Sequence, residues 1–134
     1  MKKVNLVEFK INSDNQGSLV AIENNNILNL KIKRVFYIFD VKPGAIRAQH
    51  ANRNSTMCLN CIKGSCKILI NNGTEEEIFI LDSPAKGLLC EPMTWKKLFD
   101  FTSDCVLMVL CDTNYDPGEY INDFGEFKLE TKND

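Results

Sequence analysis

The feature that most narrows the fold of this chain is its punctuation. Turn-forming clusters recur at steps of about ten residues: Pro43-Gly44, Lys63-Gly64-Ser65, Asn72-Gly73, Ser83-Pro84 and Glu91-Pro92. Between them fit only short apolar runs, namely Met57 to Ile62, Cys66 to Ile70, Glu77 to Leu81 and Gly87 to Cys90. Runs that short complete a strand but not a stable helix. Asn72-Gly73 is the strongest of the turn signals, because that pair supplies the positive φ angles of a type I′ hairpin. Cys105 to Cys111 is almost unbroken apolar sequence and reads as a central core strand.

The flanks follow the same logic. Val4 to Ile11 alternates loosely, as an edge or exchanged strand would; Ser13-Asp14-Asn15-Gln16-Gly17 is a turn, and Ser18 to Glu23 a short strand broken by Asn24-Asn25-Asn26. Leu30 to Phe39 predicts a longer strand with Ile32 and Arg34 on one face and Val35, Tyr37 and Phe39 on the other. The tail around Pro117-Gly118 cannot be strand interior and opens a short terminal helix or turn. The expectation is an all-β sandwich or barrel, one domain over residues 1–134, with about nine to eleven strands.

Composition excludes several partners. A net charge of −2 offers no electrostatic footprint for nucleic acid or an anionic membrane. No apolar run approaches the roughly 20 residues that span a bilayer. Met1-Lys2-Lys3 is followed by no apolar signal-peptide core, so a cytoplasmic location is expected. The six cysteines could bind zinc, or Cys58 and Cys61 could form a redox pair. No second Cys-x-x-Cys follows at finger-like spacing, and Cys58 to Cys61 reads as strand, with no helix dipole to activate a thiol. Small reduced core residues are the expected reading.

The chemistry gathers in Arg47-Ala48-Gln49-His50-Ala51-Asn52-Arg53, which holds the only histidine of the chain. It reads as one wall of a small-molecule site. His50 and Asn52 share a face if the segment is regular strand. Arg47 and Arg53 have the opposite parity, so Arg47 reaches the same pocket only through a bulge or bend near Ala48.

The segments Gly17 to Glu23, Ile32 to Asp40, His50-Ala51, Gly64-Ser65-Cys66, Leu81 to Pro84, Gly87-Leu88, Trp95 and Tyr120-Ile121 together resemble the sugar-nucleotide 3,4-ketoisomerases. These are WxcM-like cupins acting on dTDP-4-keto-6-deoxyglucose. The resemblance implies a cupin jelly-roll barrel, a homodimer with exchanged N-terminal strands, a dTDP-sugar substrate and no cofactor. Many cupins hold a metal with two or three histidines; one histidine cannot assemble such a site, so no catalytic metal is expected. His50 matches the first histidine of the family's His-Ala-His-Lys motif, Tyr37 its active-site tyrosine and Arg47 the arginine before the motif. The chain departs from the pattern at Asn52, which stands where the family has its second histidine, usually regarded as the essential base. It departs also at Arg53, at Lys96 after Trp95, and at Gln16 before the glycine of the early turn.

Moving a ketone from C4 to C3 of a hexose requires loss of the C3 proton, an enediolate, and protonation at C4. An imidazole titrating near neutrality suits the base, and His50 is the one available. Tyr37 is expected to shuttle the proton or bind a sugar oxygen. Gln16, Arg47, Asn52, Arg53, Trp95 and Lys96 are expected to bind substrate, with Asn52, Arg53 and Lys96 placing donors near the enediolate. The reaction would supply a 3-amino-3,6-dideoxy sugar for a surface glycan. Two other readings stay open: an isomerase of altered substrate, and a dTDP-sugar-binding protein without isomerase activity.

Overall fold

The structure, a computed structural model, describes residues 1–132. Two five-stranded antiparallel sheets face each other. The first runs in the order β1 (Val4–Glu8), β9 (Lys86–Cys90), β6 (Met57–Lys63), β11 (Val106–Cys111) and β4 (Arg34–Ile38). The second runs β12 (Tyr120–Ile121), β5 (Arg47–Asn52), β10 (Trp95–Phe99), β7 (Cys66–Asn71) and β8 (Glu76–Leu81). A separate hairpin, β2 (Ile11–Asp14) with β3 (Gly17–Val20), pairs with neither sheet. A 3₁₀ turn at Pro117–Glu119 and one helix, α1 (Phe124–Thr131), complete the described chain. That helix is too short to cross a membrane.

The jelly-roll follows from alternation. Each strand turns one row of apolar side chains inward, and the rows of the two sheets interlock. Leu59, Ile68, Ile70, Leu81, Leu88 and Leu107 are fully buried there. Each such side chain stabilises the fold by about 1.5–3 kcal/mol. No ladder joins the sheets along their edges, so the expected closed barrel is instead two facing sheets.

Three strands were not legible in the sequence: β2 covers Ser13 and Asp14, which were expected in a turn, and the other two are β10 and β12. In β10 the adjacent pair Lys96-Lys97 breaks the apolar alternation, because Lys96 points inward and is buried. β12 is only two residues long and directly follows the Pro117–Glu119 turn. The long strand expected from Leu30 begins only at Arg34. Leu28 and Leu30 instead pack with Phe9, Cys58 and Leu110 across the outer face of the first sheet. The Cys58-x-x-Cys61 pair is thereby split: Cys58 faces this outer cluster and Cys61 the interior.

Gly64 closes the β6–β7 hairpin at φ +70°. A Cβ there would stand 2.3 Å from Thr102 Oγ1, 2.6 Å from Asp104 Oδ1 and 2.9 Å from the Cys105 Cα. Gly64→Ala combines left-handed strain with contact against backbone, so a loss of about 2 kcal/mol or more is expected. The shift in urea midpoint measures it; an unchanged midpoint contradicts the packing described.

Candidate functional site

The site begins with an irregularity. In the ladder between β5 and β10, Lys96 pairs with His50 but Lys97 pairs with Ala48, so Gln49 is extruded as a β-bulge. Ala48 and Gln49 both take positive φ, at 71° and 51°. The bulge resets the parity of the strand. Arg47 and His50 consequently line one cavity, which regular strand geometry forbids.

That cavity encloses about 170 Å³ and is lined from both sheets. Its polar lining is Arg47, His50, Lys96 and Tyr120, against apolar walls that include Phe36, Met57 and Leu59. The volume lies below the 300–1,000 Å³ that typically encloses a drug-sized ligand. It suits one ring of a larger molecule, with the remainder lying across the rim.

Three contacts determine the state of the imidazole. Nδ1 stands 3.2 Å from the Ala48 carbonyl, which makes it the N–H donor and leaves Nε2 as the free acceptor. The Tyr120 ring packs edge-on at 4.7 Å between centroids and holds the imidazole plane. Lys96 supplies the local field. It is buried, and its ammonium donates to the Thr94 carbonyl at 3.3 Å. Burial, then the charge of Lys96, push the His50 pKa down to about 4, while the Ala48 carbonyl and Glu119 act the other way. Burial likewise lowers the pKa of Lys96. At neutral pH the ring is therefore an uncharged acceptor beside the buried Lys96 amine.

The remaining residues expected at the site lie elsewhere. Tyr37 is on the outer face of β4, 63% exposed, and borders a different cleft. Its neighbours in sequence, Phe36 and Ile38, take the inward positions. Trp95 and Arg53 face outward from the second sheet. Trp95 packs on Phe124 and Phe127 of α1, and the Arg53 guanidinium bonds Glu126 and Glu130 at 3.0 Å. Both residues dock the helix and line no part of the cavity. Asn52 is fully buried, and neither its side-chain oxygen nor its nitrogen has a hydrogen-bond partner. Gln16 sits at the tip of the β2–β3 hairpin and lines a separate groove.

Tyr120 was missed from the sequence as a site residue, because the Pro117-Gly118 turn before it masked the two-residue strand that aims it inward. Arg34 was seen only as one face of a strand. Its guanidinium lies 5.5 Å from the Phe36 ring and 5.6 Å from the Tyr115 ring, and Nε and Nη2 are buried without a partner.

With this geometry in view, similarity to known proteins becomes informative. Residues 2–132 match the family model described as FdtA: WxcM-like, C-terminal. The chain belongs to the WxcM-like family. A TDP-4-oxo-6-deoxy-α-D-glucose-3,4-oxoisomerase of Aneurinibacillus thermoaerophilus is 43% identical over 123 residues, covering 92% of this chain and 88% of that protein. Among solved structures, WlaRA of Campylobacter jejuni, a TDP-fucose-3,4-ketoisomerase, superposes with TM-score 0.93 at 36% identity, covering 99% and 98% of the two chains. QdtA of Thermoanaerobacterium thermosaccharolyticum, a sugar 3,4-ketoisomerase solved with TDP, gives TM-score 0.95 at 36% identity, covering 99% and 97%. The WxcM-like match thus spans both sheets, the hairpin and α1.

Because His50 is the only histidine, its ring protons can be followed without assignment ambiguity. An NMR titration is expected to show a midpoint near pH 4, and Lys96→Gln should move it upward toward 6.5. The sign for stability follows from the same shift. The unfolded chain binds the proton from about pH 6.5 downward and the folded chain only near 4. His50 therefore contributes stability above 6.5 that is lost progressively as pH falls from 6.5 to 4, and His50→Asn should flatten that part of the curve.

Proposed function

We propose that this WxcM-like chain is a sugar-nucleotide 3,4-ketoisomerase in which the neutral His50 ring is the base. The chain is an isomerase of its family, converting a dTDP-4-keto-6-deoxyhexose into the 3-keto isomer. The single observation that carries the assignment of the base is the Ala48 carbonyl on Nδ1, which leaves Nε2 open. Nε2 takes the C3 proton; electrons move into the C3–C4 bond and onto the C4 oxygen, giving an enediolate. The proton returns at C4 while the C3 hydroxyl gives its own proton to the C4 oxygen, leaving a ketone at C3 and a hydroxyl at C4. Lys96 and Arg47 supply positive charge for the enediolate in a cavity where low dielectric strengthens each interaction. Tyr120, against the ring and in the cavity wall, takes the part that Tyr37 was expected to play.

The hexose occupies the 170 Å³ cavity and the nucleotide lies across its rim. A homodimer with exchanged N-terminal segments is part of this reading. It is supported by the unpaired β2–β3 hairpin, and by Leu19, Val35, Tyr37 and Phe39, each more than half exposed. Gln16 at the hairpin tip would meet a site through that exchange. No catalytic metal enters the reaction, whose product would feed synthesis of a 3-amino-3,6-dideoxy sugar for a surface glycan.

The decisive measurement mixes purified protein with dTDP-4-keto-6-deoxyglucose in deuterated water and follows C3 by NMR. Deuterium at C3 and accumulation of the 3-keto isomer are expected, and His50→Asn should lower the rate by about 10²–10⁴-fold. Tight dTDP-sugar binding by calorimetry without exchange would instead establish a binding protein.

A further inference from the structure

Three cysteines distant in sequence converge on one point inside the fold. Cys61 comes from β6, Cys66 opens β7, and Cys105 immediately precedes β11. Their sulfurs all lie within 4.8 Å of one another, with Cys61 and Cys105 at 3.5 Å. All three are buried, at 0%, 1% and 3% exposure. The Gly64 turn brings Cys61 and Cys66 face to face, at the end of β6 away from the cavity residue Met57. The other cysteines are not grouped this way: Cys58 bonds Asn60, and Cys90 the Leu88 carbonyl.

We propose that Cys61, Cys66 and Cys105 form a thiolate site for a soft closed-shell cation, with Cu(I) as the occupant that fits best. Metal–sulfur bonds of about 2.3 Å place three sulfurs around a central ion about 4 Å apart, which these residues already approximate. Thiolates select Cu(I), zinc or iron–sulfur clusters. Among the described residues no further histidine, cysteine or carboxylate joins the group. Structural zinc almost always takes four ligands, whereas an all-sulfur trio completes the shell of three-coordinate Cu(I).

Each thiol gives up its proton as it binds the ion. Cys105 also lines a cleft of about 370 Å³ with Lys63, Ser103 and Asp104. The bland alternative is three packed thiols with no ligand. That alternative predicts no metal affinity beyond that of isolated cysteines, which separates the two. The site shares no residue with the His50 cavity and stands whether or not the isomerase reading does.

The test is an anaerobic titration of the reduced protein with Cu(I) held by bicinchoninate. One equivalent should pass to the protein, with X-ray absorption showing three sulfurs at about 2.3 Å. Replacing a ligand should weaken binding at least as much as the 10–100-fold typical of outer-shell changes, so Cys66→Ala and Cys105→Ala are each expected to lose about 100-fold or more. Cys90→Ala should bind as the parent does. Copper left with the chelator, oxygen or nitrogen in the first shell, or full affinity in the folded Cys66→Ala and Cys105→Ala proteins would overturn the proposal. The absorption spectrum of the unmodified protein decides the matter even if a variant fails to fold.

Discussion

One extruded residue in β5 governs the cavity. With Gln49 outside the ladder, Arg47 and His50 share a wall, and the Ala48 carbonyl turns onto the imidazole nitrogen. The positive φ values of Ala48 and Gln49 cost free energy that a strand would not ordinarily sustain. The flanking ladders hold the strain in place, with β10 on one side of the strand and β12 on the other. Tautomer, ring orientation and charge state of His50 all descend from that local distortion together with buried Lys96.

The layers outside the two sheets protect this arrangement. Arg53 and Trp95 tie α1 to the second sheet, where Ala51, Ile121 and Phe127 are fully buried. Glu119 is anchored by the Ser55 hydroxyl and by the amides of Asn54 and Ser55, which steadies the turn that delivers Tyr120. On the other side, Leu28 and Leu30 seal the outer face of the first sheet. Residues expected to touch substrate thus hold the frame that keeps Lys96 dry. Dry surroundings disfavour the charged form of that amine, which is the direction in which burial moves its pKa.

Much of the fold was readable because strand length and turn chemistry are local properties. The existence of a hairpin around Asn72-Gly73, the core strand up to Cys111 and the shared face of Val35 and Tyr37 follow from residues within a few positions of one another. The turn itself is a four-residue loop in which only Gly73 takes positive φ, where a type I′ pair was expected. The parity argument also located the bulge, since Arg47 could join His50 in no other way. What failed was whatever depended on which face of a strand another layer would cover. Trp95 and Arg53 carry the residue types of a binding site, but α1 lies against their face of the sheet. Tyr37 differs from Phe36 by one position, and that one step puts it on the opposite face.

By itself, then, the amino-acid sequence determined an all-β chain, its hairpins, and the strand that carries the lone imidazole. Those depend on backbone preferences and on alternation over short distances. Tertiary structure alone decided that the sheets face each other without closing, that Lys96 points inward, that Tyr120 meets His50, and that Cys61, Cys66 and Cys105 converge. Such contacts join residues tens of positions apart through sheet order and register, which no local pattern encodes.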